Sequence, residues 1–426
     1  MVDVAKVRMF GQNIGTFVWD DSYRVARFEY DNDFVGKGIE PSPIMMPVQQ
    51  GRIYSFGSLN WDTFNGLPGM LADSLPDTYG RALFDQWLTL TGRTTSNPVE
   101  SLCFLGERCM GALEFEPATG PSSDANMKFE IDTLIDVARE ALSKKKDFGV
   151  NLDVDRKAAI AEILRLGTSA GGQRAKAIIA YNKETGEVRS GQISAPEGFD
   201  YYLIKLDGVT AEAGFKETEN FGRLEYSFSE LVKNCGIDMT ECSLIEENGR
   251  AHFLTKRFDR ENGRKIHMQT LCGMAHYDFR LKNGHSYEQA FNVMRRLRLP
   301  YSQAQEMFRR IVFNVVVRNQ DDHTKNISFL MDSSGQWSLS PAYDMGFAYN
   351  PLGAWTATHQ MSINGKFDNI TRADLLSLAN ANNIKNASEI IDQVCETTAG
   401  WPELAKNCGV PQKMIDGIVP HMLLSI

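Results

Sequence analysis

Over roughly the first hundred residues, apolar and polar positions alternate in short runs broken by glycine and asparagine. "KVRMFGQNIGTFVWDD" predicts a hairpin and "YRVARFEYD" a half-buried strand, because side chains two apart share one face of a sheet. In "LPGMLADSLPDTYGRALFDQWLTL", Pro and Gly mark turns and Asp77 stands where it would cap a helix running to Leu90. "ATGPSSDAN" (Ala118–Asn126) is polar and rich in turn formers, which predicts a linker. A helix is expected from Ile131 to about Lys144, its last turn basic where cations suit the dipole.

From about Ala158 the order changes. A helix-like "AAIAEILRLG" leads into the small-residue loop "TSAGGQRAK" and then a strand, "AIIAYN". A second strand, "YYLIKL", precedes the helical "EYSFSELVKNCG", and two more strands follow in "CSLIEEN" and "AHFLTKRFD". Beyond Thr270 the pattern is helical except around "VVVRNQDDHTKNISFL" and "QWSLSPAYDMG". A strand-rich part followed by a helical part predicts an α+β fold.

The chain's 426 residues exceed what one ordinary core organises and imply two or three domains. A hydrophobic fraction of 42% and a charged fraction of 23% are those of a globular protein. The net charge of −9 argues against a general nucleic-acid or anionic-membrane binder, since phosphate binding needs clustered positive charge. Seven scattered cysteines without metal-ligand spacing read as reduced thiols. With no apolar signal core and no stretch of membrane-spanning length, the expectation is a cytoplasmic protein with no membrane partner.

The chemistry concentrates in "DDHTKN". Asp321 and Asn326 have the D-x-x-x-x-N spacing of a protein-kinase catalytic loop, in which the Asp orients a hydroxyl nucleophile and the Asn holds Mg²⁺. Eighteen residues on, Asp344 ends an apolar strand and opens D-x-G, with Met345 between Asp344 and Gly346; it would supply a second hard oxygen ligand. Taken alone, the first spacing also suits an Asp/Asn turn with capping side chains. The second Asp, together with His323 and Lys325, favours a site. Lys325 suits phosphate charge, and His323 suits a loop brace or a phosphate contact.

Three further elements precede this loop. "GTSAGGQRAKA" brings Gly171, Gly172, Gln173, Arg174 and Lys176 together, a loop whose backbone N–H groups and cations suit phosphates, although it matches neither standard phosphate-loop pattern and a plain flexible turn would look the same. Lys205 interrupts the apolar strand "YYLIKL"; it suits α/β-phosphates, with Glu225 as a helix partner and Glu230 as the second candidate, or else an edge strand reaching solvent. "FLTKRFDR" ends a strand at Lys256, Arg257 and Phe258, where a two-lobed kinase has its hinge, with Asp259 placed within reach of a ribose.

In this order, and with "DDHTKN" and "LSPAYD" in full, the chain closely resembles the HipA family of bacterial serine/threonine-kinase toxins. The N-terminal "LPGMLADSLPDTYGR" and "LGERCMGALEFEP" resemble that family's amino-terminal region. The resemblance implies a two-lobed protein-kinase-like fold. Residues 1–120 would form a strand-rich N-terminal subdomain, 127–260 a kinase N-lobe-like region with the ATP loop, and 261–426 a helical catalytic lobe. It implies ATP and Mg²⁺ as cofactors and Asp321 as catalytic base. His323, Lys325, Asn326 and Tyr343 would stand beside the nucleotide, with Asn326 and Asp344 on Mg²⁺. Lys205 would meet the phosphates, Gly171 to Lys176 would form the ATP loop, and Lys256 to Phe258 the hinge. Ser169 matches the family's autophosphorylated serine, with Thr168 adjacent. The implied partners are a protein substrate, such as a translation factor, and a helix–turn–helix antitoxin of the HipB type, through which DNA is reached indirectly.

Two alternatives stay open from the residues. A small-molecule or lipid kinase could use the same Asp–Asn–Asp set, although no acidic acceptor pocket is conspicuous. "TRADLLSLANANNIKNASEIIDQV" has helix–turn–helix-like spacing and would suit a DNA-binding regulator. Thr371 and Asp374 look like a capping pair, which favours a helical hairpin of the C-terminal lobe.

Overall fold

The computed structural model describes residues 2–76, 78–90, 92–93, 95–120, 128, 131, 135, 174–191, 195–210, 220–261 and 263–426. The helix expected over "AAIAEILRLG", Asp77 as a cap, most of the linker, and Thr168, Ser169, Gly171, Gly172 and Gln173 of the small-residue loop lie outside these residues. The helix expected from Ile131 is described only at Ile131 and Ile135, both helical. The chain divides into two compact units interleaved in sequence. The first comprises residues 1–39, 48–219 and 245–268, and the second 40–47, 220–244 and 269–426.

The first unit begins with an antiparallel sheet of β1 (Val4–Met9), β2 (Gln12–Asp20), β3 (Val25–Tyr30), β4 (Ile53–Tyr54) and β5 (Leu113–Glu116), in the order β4-β3-β2-β1-β5. The predicted hairpin is β1–β2. In β1 the alternation puts Ala5, Val7 and Met9 into the core while Lys6 and Arg8 face outward. Phe17, Phe28, Tyr30 and Phe115 fill the core, with Phe17 meeting Phe115 edge-on at 6.0 Å and Phe28 meeting Tyr30 edge-on at 4.8 Å. Each such ring contributes about 1.5–3 kcal/mol by burial. Gly15 opens the space for them, since a Cβ there would collide with the Phe28 ring and the Glu29 carbonyl.

A second five-stranded sheet contains β6 (Arg174–Tyr181), β7 (Val188–Ser190), β8 (Asp200–Thr210), β9 (Cys242–Glu247) and β10 (Arg250–Lys256), in the order β7-β6-β8-β10-β9. Ala177, Ile178, Ile179 and Ala180 are all buried, as are Tyr202, Ile204 and Leu254, so the central strands are covered on both faces. Ile178 pairs with Leu203 and Leu254 with Ile204. This register places Lys176, Lys205 and Phe253 in one cross-strand row.

The second unit is mainly helical. Phe228, on the helix Phe221–Asn234, stacks on Trp401 with ring centroids 4.7 Å apart. The helix Tyr301–Val316 is buried along its second half, from Met307 to Val316. It ends in a β-branched run, which helices accommodate poorly, and the chain turns at Arg318 with φ 54°. The turn closes through Asn319 N donating to Asn314 O at 2.8 Å, and "DDHTKN" begins two residues later. Strands Ser328–Met331 and Trp337–Leu339 then form an antiparallel hairpin leading to Asp344. In the tail, Thr371 and Asp374 make a capping box at the start of the helix Arg372–Ala381, which is followed by the helix Ala387–Ala399.

Candidate functional site

One helix positions both loops of the second unit. The catalytic-loop candidate hangs from the C-terminus of Tyr301–Val316. On the same helix Arg310 donates to Ser340 O at 2.9 Å, while Glu306 holds the Arg310 guanidinium at 2.7 Å. That contact anchors the strand end just ahead of Tyr343 and Asp344. The two loops also meet directly, because Tyr343 OH donates to Lys325 O at 2.6 Å. Tyr343, expected beside a nucleotide, thus uses its hydroxyl as a brace between the loops. Asp344 has φ 51°, a left-handed conformation that Asp tolerates better than bulkier residues.

Within the loop the two adjacent aspartates have opposite environments. The Asp322 side chain is buried and accepts three hydrogen bonds: from Tyr287 OH at 2.7 Å, His359 Nδ1 at 2.8 Å and Gln360 N at 2.7 Å. Tyr287 OH in turn accepts from Asn314 Nδ2 at 3.0 Å, and Asn319 Nδ2 donates to Asn314 Oδ1 at 2.9 Å. Burial beside Asp322 pushes the Tyr287 phenol well above its ordinary range, so it stays a donor. Asp322 therefore fastens the loop from behind. Asp321 points the other way, with 45% of its side chain accessible.

Asp321 Oδ1 accepts from Trp355 Nε1 at 2.6 Å, and His323 Nε2 lies 3.9 Å from the same oxygen. Walled by protein on several sides, the Asp321 carboxyl is raised from its ordinary value first by desolvation, while His323 and Trp355 act in the opposite direction. Repulsion from the nearby Asp344 and Asp322 adds to the rise. His323 is lowered by desolvation, so its imidazole is neutral near pH 7, and its Nδ1 has no partner among the described residues. Its ring meets Phe279 edge-on at 5.3 Å, and Lys325 Nζ lies 4.9 Å above the same Phe279.

Asn326 Nδ2 donates to Asp321 O at 2.8 Å. That bond identifies the amide's two ends and leaves Oδ1 as its acceptor end. Tyr287, Asn314, Asp322, His323, Asn326 and Asp344 border one small cavity. An amide oxygen on the same cavity as the Asp344 carboxylate is a donor set fit for a hard cation such as Mg²⁺. Among the described residues, no group of three or more His, Cys, Asp or Glu side chains could hold a metal by itself.

In the first unit, Lys176 is buried and pairs in register with the half-buried Lys205, whose Nζ lies 5.8 Å above the Phe253 ring. Glu225, expected to pair with Lys205, is on the helix Phe221–Asn234 of the second unit. Of the small-residue loop, Arg174 is described as the first residue of β6. Lys256 ends β10 and bonds Asp200 at 2.8 Å, and Phe258 follows at the strand's exit.

The structure corrects the reading of Asp259. Its side chain is fully buried and bonded to Arg257 at 2.7 Å, Arg260 at 2.8 Å and Gly111 N at 2.7 Å, so it presents no face to a ribose. Arg257 is likewise committed to this internal network, with 1% of its side chain accessible. Desolvation alone would raise the Asp259 carboxyl. The two guanidinium charges and the Gly111 amide outweigh it and hold the carboxyl well below the ordinary carboxylate range.

Four residues of the site had no sequence signal of their own role: Tyr287, Trp355, His359 and Gln360. A tryptophan set among small turn residues in "PLGAWTATH" is the one hint among them.

The α+β architecture and the paired Asp–Asn and Asp loops define a two-lobed protein-kinase-like fold. Residues 5–116 match the HipA N-terminal domain model and residues 168–401 the HipA-like C-terminal domain model. The chain belongs to the HipA family. Its fold is similar to a chain of the Shewanella oneidensis MR-1 toxin–antitoxin complex of HipA, HipB and operator DNA. The TM-score is 0.67 at 17% identity, over 98% of this chain and 94% of that one. A Haemophilus influenzae protein with a provisional kinase name is 29% identical over 136 residues, 28% of this chain and 39% of the relative. A similarly named Sinorhizobium fredii protein is 27% identical over 218 residues, 46% of this chain and 52% of the relative. The chain thus spans about half or less of the length of these curated relatives. Among the described residues no helix is long and apolar enough to cross a membrane.

Proposed function

We propose that this chain is an ATP- and Mg²⁺-dependent serine/threonine-protein kinase, the toxin of a type II toxin–antitoxin pair. The observation that carries the reading is the opposed placement of the adjacent aspartates. Asp322 is locked inside the unit, and Asp321 is turned outward beside Asn326 and Asp344. When bound, MgATP supplies the phosphoryl group and the positive charge that offsets its oxygens. Asp321 would orient the acceptor hydroxyl and take its proton, the Asn326 amide oxygen and Asp344 would hold the metal, and Lys176 and Lys205 would meet phosphate charge. His323, neutral and wedged between Phe279 and Asp321, would keep the loop's shape and offer a neutral contact to a phosphate oxygen.

The partner assignment is supported by the similar fold's occurrence in a complex with HipB and operator DNA. A helix–turn–helix antitoxin would bring this chain to DNA indirectly, in keeping with its net charge of −9. The substrate is proposed to be a protein, and Ser169 in the small-residue loop to be a site of self-phosphorylation. A phosphate there would add nearly two negative charges where ATP phosphates belong. The test is incubation of the pure chain with γ-labelled ATP and Mg²⁺, followed by site mapping. Label on Ser169 or Thr168 supports the reading. Label found only on added small molecules overturns it.

A further inference from the structure

The catalytic-loop candidate is tied to a distant segment by a closed circuit of hydrogen bonds. Asp322 Oδ1 accepts from Gln360 N at 2.7 Å. The Gln360 side chain returns along the segment, its Nε2 donating to Trp355 O at 2.7 Å and Thr358 O at 2.9 Å. Trp355 Nε1 then donates to Asp321 Oδ1 at 2.6 Å, which closes the ring on the residue next to its start. A second glutamine reinforces it. With its amide oriented to satisfy both ends, Gln320 donates to Thr356 O at 2.8 Å and Ala357 O at 3.2 Å. Gln360 Nε2 also reaches Gln320 O at 3.1 Å. Residues 355–358 are therefore clamped by two amides, and the indole is held rather than loosely laid on the site.

The bond is selective for one oxygen. Oδ1 takes the Trp355 indole and lies nearest His323, whereas Oδ2 accepts nothing among the described residues. We infer that Trp355 is a positioning residue: it fixes the Asp321 rotamer so that Oδ2 faces the acceptor hydroxyl, and it is itself set by the Asp322–Gln360 clamp. This inference rests on Asp321 being the base of the proposed kinase. A charge-assisted bond of this kind is short and directional, so it holds the orientation of the carboxylate as well as its position. Removing the N–H while keeping an aromatic ring isolates that contribution.

The experiment compares kcat and KM for ATP of wild type and Trp355→Phe in labelled-ATP phosphoryl transfer, with thermal melting of both proteins as a folding control. Trp355→Leu, which also removes the ring, serves as the second variant. The expected result is a kcat about tenfold lower for Trp355→Phe, the scale of one lost charge-assisted hydrogen bond. KM for ATP should be unchanged, because the indole bonds the carboxylate that orients the acceptor hydroxyl and not the nucleotide. An active wild type whose kcat matches that of Trp355→Phe overturns the inference and leaves the kinase reading standing. A rise in kcat also overturns it, since the indole would then be blocking the carboxylate. A wild type without phosphoryl transfer overturns the kinase reading itself.

Discussion

Lys176 on β6 and Lys205 on β8 stand directly opposite each other in an antiparallel register pair. The register sets two ammonium-bearing positions side by side across the sheet, an arrangement that suits an anionic ligand. Lys205→Met is predicted to weaken ATP binding by about tenfold or more, the scale of one lost charge-assisted hydrogen bond. Calorimetric titration with MgATP measures the loss, and a thermal melt on the same sample shows that the variant is folded.

The adjacent aspartates should separate cleanly into stability and activity. Asp322→Ala strips an acceptor from Tyr287 OH, His359 Nδ1 and Gln360 N inside the unit and should cost about 3–5 kcal/mol. Asp321→Ala removes a half-exposed carboxylate and should cost about 1 kcal/mol or less. Urea denaturation of the two variants measures the difference. Equal losses would contradict the division of roles.

Asp259 predicts an acid-sensitive internal joint. Its folded-state carboxyl is held below the ordinary value of 3.8, so its contribution to stability is complete above that value and is lost as pH falls below it. Asp259→Asn should flatten this limb of the stability–pH curve. It should also destabilise at neutral pH by about 3–5 kcal/mol, because Arg257 and Arg260 lose their buried counter-charge. Denaturation midpoints from pH 7 down to about pH 2 provide the check.

Tyr287 offers a milder probe of the same scaffold as Asp322. Tyr287→Phe keeps the ring in the core but removes the hydroxyl that links Asn314 to Asp322. A loss of about 1–3 kcal/mol is expected, with KM for ATP unchanged.

The parts that local spacing encodes were legible before the fold. Asp321 and Asn326 lie within one turn and Asp344 ends a short hairpin, so five or eighteen residues of sequence carry their relation. The Thr371–Asp374 pair was readable for the same reason and forms its capping box. The circuit through Gln360, Trp355, Tyr287 and His359 was not, because those residues stand 34 to 38 positions away in sequence from the aspartates they bond. Only the fold brings them together. Asp259 shows the opposite failure. Its position after a strand looked open to a ligand, but Arg257, Arg260 and the Gly111 amide, the last 148 residues distant, enclose it.

The most direct test of the central claim is phosphoryl transfer from γ-labelled ATP by Asp321→Ala at saturating MgATP, with nucleotide binding measured in parallel. The account predicts transfer reduced by about 10²–10⁴-fold, the span for loss of a general base, with ATP affinity retained. Transfer within about twofold of wild type would contradict it, because the outward-facing Asp321 would then have no part in the chemistry.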